Sequence, residues 1–142
     1  LWNVLGANVP KVRKEAAKEL YLKVMEANKQ GLIASSHDLS DGGLAVALAE
    51  SAFGGILGAE IELEQLADLG STVRLFSESH SRFVVSIAPE NKEAFETLMG
   101  ERASFLGTVT ENPSLIIKEE GETLIQLKNE KLQTAWNEGL GF

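Results

Sequence analysis

From Lys11 to Gln30 the apolar residues Val12, Ala16, Leu20, Val24 and Ala27 recur at spacings of three or four. That period predicts an amphipathic helix. Asn8-Val9-Pro10 leads into it, proline suiting a first turn, and Gly31 stops it. Leu32–Ser36 reads as a short strand, and His37–Gly43 as a polar turn that ends in glycine. Leu44–Ala49 is apolar on every side, which predicts a buried helix rather than an amphipathic one. Gly54-Gly55 and Gly58 then release the chain into Ala59–Leu63, whose alternation suggests a strand.

Further strands are predicted over Val73–Phe76 and Arg82–Ala88. Pro89 opens a helix that reaches Met99, with Phe95, Leu98 and Met99 on its apolar side. Ala103–Thr110, Ser114–Lys118 and Thr123–Leu127 read as three more strands, with turns at Asn112-Pro113 and Glu120-Gly121. A last helix runs from Asn129 to Trp136, before a glycine-rich tail. Trp2 and Trp136, near the two ends, are expected to pack the termini or a neighbouring domain. Helices and strands are interspersed without a strict repeat, so the expected fold is α+β: a layered, mixed β-sheet covered by helices.

Composition narrows the class. The 142 residues fit one compact domain spanning 1–142, and 44% hydrophobic with 24% charged residues argues against disorder. No apolar run approaches the roughly 18 residues of a membrane span, and no membrane partner is expected. No signal-peptide pattern is visible. The absence of cysteine excludes disulfides, thiolate catalysis and cysteine-based zinc sites. Thirteen basic against 21 acidic residues leave a formal charge of −8, a balance that repels phosphate backbones and excludes general nucleic-acid binding. The chain starts at Leu1 without an initiator methionine, and is therefore expected to be a piece of a longer polypeptide.

Two segments carry candidate chemistry. Ser35–Leu44 places His37, Asp38 and Asp41 on the turn between a strand and a buried helix. Asp41 can cap that helix, and Gly42 and Gly43 permit close backbone approach and unusual dihedrals. The helix start favours an anion such as phosphate, and Asp38 with Asp41 can hold Mg²⁺. The alternative is a turn whose aspartates only cap and hydrogen-bond. The second segment, Leu75–Phe83, crowds polar residues between two expected strands, where a plain hairpin would ask for glycine or asparagine. Glu78 can accept bonds from hydroxyls or an amine, and Arg82 can pair with phosphate or with Glu78. No Walker-type loop, nucleophile elbow or zinc signature is present, and no residue is assigned as catalytic.

The run His37-Asp38-Leu39-Ser40-Asp41-Gly42-Gly43-Leu44-Ala45-Val46-Ala47-Leu48-Ala49-Glu50 resembles a signature of the phosphoribosylformylglycinamidine synthase family, synthetase subunit. The likeness is to its second C-terminal domain, of the aminoimidazole ribonucleotide synthase-related fold. Phe76-Ser77-Glu78-Ser79-His80-Ser81-Arg82-Phe83 resembles the second signature of that domain, with His80 where glutamine is common. Gly107–Thr110 and Ala135–Leu140 are similar as well.

The resemblance implies a cytoplasmic ligase of purine biosynthesis. It turns formylglycinamide ribonucleotide into its amidine with ATP, Mg²⁺ and glutamine-derived ammonia. N-type domains of the same chain would supply the general base and most nucleotide contacts, with glutaminase and small accessory subunits as partners. The implied substrate or nucleotide contacts are Gly42, Gly43, Glu78, Ser79, His80 and Arg82, and the implied metal ligands are Asp38 and Asp41. In the family the assigned contacts lie on the first C-type domain, so in this second copy the residues could instead serve a supporting site. The isolated chain is expected to fold without turnover. Two alternatives share the fold: a scaffold or interaction domain, or the equivalent domain of another ATP-using relative, such as selenophosphate synthase or a hydrogenase maturation protein.

Overall fold

The computed structural model describes residues 10–66 and 69–139. Helix α1 spans Lys14–Lys29, strand β1 Ser35–Asp38, α2 Gly43–Gly55 and β2 Gly58–Glu62. Then come α3 (Ser71–Phe76), β3 (Phe83–Ser86) and α4 (Lys92–Met99). Strands β4 (Gly107–Thr110), β5 (Ser114–Glu119) and β6 (Glu122–Lys128) follow, and α5 (Asn129–Glu138) ends the described chain.

The expected α+β layering is present, with its strands divided between two sheets. A mixed sheet has the order β4-β2-β5-β6, in which β2 and β5 run parallel and the other neighbours antiparallel. Strands β1 and β3 form a separate antiparallel ribbon. Alternation across a strand explains the stacking. On one face of the ribbon, Val84 packs toward α2; on the other, Val85 packs toward α1 and α4.

Two apolar clusters follow from this arrangement. Leu44, Ala45 and Leu48 of α2 meet Ala59 and Ile61 of β2 and Leu115 and Ile117 of β5. Ala27, Leu32, Phe95 and Met99 close the second cluster between α1 and α4. The opposite face of the mixed sheet is polar, where Lys118 lies 3.6 Å from Glu60 and 3.8 Å from Glu62. Trp136 packs against Phe53 at a ring distance of 6.3 Å.

Several expectations are corrected. The first helix starts at Lys14, so Pro10 lies outside its first turn, and Val12 is exposed; Trp2, Asn8 and Val9 fall outside the described residues. His37 and Asp38 belong to strand β1, not to the turn. Val73–Phe76 is helical, because four residues with three apolar side chains do not by themselves distinguish a strand from a helical turn. Here only Leu75 is buried, while Val73 and Phe76 face outward. The segment at 77–82 therefore joins a helix to a strand and is no hairpin.

Gly54 and Gly55 remain inside α2, and the left-handed residue that ends it is Ile56, at φ 57°. The Leu57 amide bonds to the Ala52 carbonyl at 3.2 Å, as a left-handed helix stop requires. A β-branched residue is strained there. Ile56 is 79% exposed, so little packing is lost by replacing it. Ile56→Gly is expected to stabilise the domain by about 1 kcal/mol in urea denaturation.

Candidate functional site

The start of α2 depends on two glycines in left-handed conformation, Gly42 at φ 78° and Gly43 at φ 64°. A Cβ on Gly43 would lie 2.6 Å from the Ser77 carbonyl and 2.9 Å from that of Leu75. The bare backbone of Gly43 thus lets the end of α3 press against the first turn of α2. Asp41 does not cap the helix: residue Gly42 holds the cap position and no side chain caps it. The left-handed Gly42 sets the helix entry, and its amide is taken by a carboxylate from elsewhere in the chain.

That carboxylate belongs to Glu78. The Gly42 amide donates to Glu78 Oε1 at 2.8 Å, which joins the two sequence segments. An anion at a helix start is favoured by free amides and by the helix dipole, and here the protein's own side chain takes that place. The Gly43 amide is occupied too, by the Ser40 carbonyl at 3.1 Å. Arg82 bonds to loop carbonyls and not to Glu78. Its Nε donates to the Ser79 carbonyl at 3.2 Å, and another guanidinium nitrogen donates to the Ser77 carbonyl, bracing the loop from within. Partial burial lowers the Arg82 pKa from its ordinary value. An arginine remains cationic even so.

Between the segments lies a cleft of about 470 Å³. Asp38, Ser40 and Asp41 line one side, and Glu78, Ser79, His80 and Arg82 the other. Asp38 accepts a bond from the Ser40 hydroxyl, which holds its carboxyl below the usual range, with a smaller contribution from its own backbone amide. Behind the cleft, His37 faces α2 and reaches Glu50 at 3.2 Å, while its other ring nitrogen lies 2.6 Å from the Asp38 carbonyl. His37 is thereby a bonded structural residue. His80 and Ser79 are exposed on the rim.

The donor set suits a particular kind of metal. Mg²⁺ is commonly held by one or two carboxylates together with phosphate oxygens and water. Asp38 and Asp41 offer such a partial set, and no group of three or more metal-ligating side chains exists among the described residues. A cation that arrives with phosphate fits better than one held by protein alone.

Sequence reasoning missed Tyr21, which lines the same cleft from α1. Its hydroxyl bonds to Ser81 at 2.8 Å, and its ring meets Phe83 edge-on at 5.9 Å. The one signal in the sequence was an aromatic residue set off the apolar stripe of Leu20, Val24 and Ala27.

Comparison with known proteins identifies the family of the chain and its fold. The subunit PurL of phosphoribosylformylglycinamidine synthase from Moorella thermoacetica is 40% identical over 140 residues, a match covering 96% of this chain and 19% of that protein. The chain thus spans about a fifth of the length of that relative. T. maritima PurL complexed with FGAR superposes with a TM-score of 0.80 at 22% identity, over 92% of this chain and 23% of that one. The same protein complexed with ATP gives a TM-score of 0.73 at 24% identity, over 81% of this chain and 21% of that one. Hydrogenase maturation protein HypE gives 0.65 at 18% identity, over 77% of this chain and 41% of that one. At such identities the structural likeness shows the fold. A family model described as AIR synthase related protein, C-terminal domain, matches residues 2–120, and the chain belongs to that family.

Proposed function

We propose that this chain is the C-terminal-type domain of a longer cytoplasmic ligase that converts formylglycinamide ribonucleotide to its amidine, using ATP and glutamine-derived ammonia. The observation that carries this reading is the 40% identity over 140 residues to a synthase subunit about five times as long. That identity, and not the fold shared with HypE, favours the synthase over other ATP-using relatives. N-type domains of the same polypeptide supply the general base and most nucleotide contacts, and glutaminase and small accessory subunits supply ammonia.

ATP contributes phosphoryl activation of the substrate amide. The chain's own residues hold and shape the wall of the site. Asp38 and Asp41 offer carboxylates to Mg²⁺, while Ser79 and His80 face the substrate from the rim. Glu78, Gly42, Gly43 and Arg82 fix the loop geometry through internal bonds and close packing, and no catalytic group comes from this domain. In this reading the domain has no turnover alone.

A second reading has its own support. Glu78, Arg82 and the two glycine amides already have partners within the chain, which is what a scaffold domain would show. Asp38→Asn combined with Asp41→Asn in the full-length protein separates the two. A working ligand site should lose about 10–100-fold in amidine formation. The melting temperature should stay unchanged, because both side chains are exposed. Activity that follows stability, or that does not move, leaves the domain a scaffold.

A further inference from the structure

We infer that Tyr21 is a positioning residue for the cleft: its hydroxyl, through Ser81, holds the 77–82 loop in the shape that delivers Glu78 to the Gly42 amide. A backbone bond from the Leu39 amide to the Arg82 carbonyl at 3.0 Å holds the end of the loop, and side chains tie it to the body of the domain on two sides. On one, Glu78 accepts the Gly42 amide at 2.8 Å; on the other, Ser81 bonds to Tyr21 at 2.8 Å. The Arg82 side chain bonds only to carbonyls of the loop itself, so it sets local shape and not placement.

Ser81 adds the physical reason why an outside tie is needed. It sits at φ 61°, in the left-handed region that a serine rarely adopts. Such a conformation persists where the surroundings enforce it. Tyr21 is well placed to do so. Its ring is fixed against Phe83, and α1 is anchored by Lys23 on the Met99 carbonyl at 3.2 Å and by Glu19 with Arg102 at 2.7 Å. A tie at Ser81 therefore reaches Gly42 through three residues of loop, and α1 becomes part of the cleft although it is remote in sequence.

The test uses the full-length protein with Tyr21→Phe, Ser81→Ala and the double variant. Tyr21→Phe removes only the hydroxyl and keeps the ring on Phe83. Amide hydrogen exchange is read by mass spectrometry on the peptide containing Gly42 and on the loop, beside kcat, KM and melting temperature. Each single variant is expected to raise exchange at Gly42 about fivefold, as loss of one hydrogen bond implies. The double variant should add nothing, because both substitutions remove one shared bond. The melting temperature of the full-length protein should hardly move, since one exposed hydrogen bond is a small part of its stability. Unchanged exchange at Gly42, or additive effects in the double variant, overturns the inference whatever the kinetics. The kinetic arm alone rests on the ligase reading, which predicts a raised KM. Altered exchange with unaltered kinetics upholds the role of Tyr21 and counts against a ligand role for the cleft.

Discussion

Ile117→Ala is expected to destabilise the domain by about 4 kcal/mol, measured by urea denaturation. Ile117 is fully buried, in the centre of the mixed sheet, and lies between Ile61 on β2 and Ile125 on β6. It also belongs to the cluster formed with Leu44 and Leu48 of α2. Truncation removes the transfer free energy of three carbons and leaves a cavity that strands paired on both sides cannot collapse into. Ile117→Val deletes a single methylene and should cost about 1 kcal/mol. A loss for Ile117→Ala near that smaller value would mean that the sheet relaxes around the gap.

Gly43→Ala should cost about 3 kcal/mol, roughly 10 °C in Tm, by a different mechanism. The left-handed backbone disfavours any side chain. Steric conflict costs more, since the new Cβ would meet the Ser77 and Leu75 carbonyls at 2.6 and 2.9 Å. Those atoms are backbone and cannot rotate away, so α3 or the start of α2 must shift. Gly31→Ala is the internal control: its φ is 70°, yet a Cβ there would meet nothing within 4 Å. It carries the conformational cost alone, about 1 kcal/mol. Equal losses at the two positions would show that close packing at Gly43 contributes nothing. A larger loss at Gly43 should also loosen Glu78 from the Gly42 amide, because Ser77 adjoins Glu78 in the loop.

Much of the site is legible in the sequence because its two halves are local patterns. Asp41-Gly42-Gly43 before an all-apolar run announces a tight helix start, and the dihedrals and close approach found at both glycines follow from that. The polar run Ser77–Arg82 likewise stands out against its apolar flanks. The pairing between them is not legible. Asp41 is the residue that helix-cap chemistry favours, yet the Gly42 amide goes to Glu78, 36 residues further on. Local preference for an N-cap residue amounts to about 1 kcal/mol. Here the helix starts one residue later, with left-handed Gly42 in the cap position, and packing of α3 on α2 brings Glu78 to its amide. For Arg82 the charge points to an anionic partner, where loop geometry instead offers it two carbonyls.

The sequence by itself determined the elements whose signals are periodic or steric. These are the buried α2, the stop of α1 at Gly31, the strands of the mixed sheet and the demand for glycine at 42 and 43. Each depends on neighbours within a few residues, where spacing and dihedral limits act directly. Tertiary structure alone decided that Val73–Phe76 is helical, that the strands divide between a ribbon and a four-stranded sheet, and that Tyr21 joins the cleft. These depend on contacts between residues far apart in the chain, whose energies exceed the small local preferences of a short segment and leave no trace in its period.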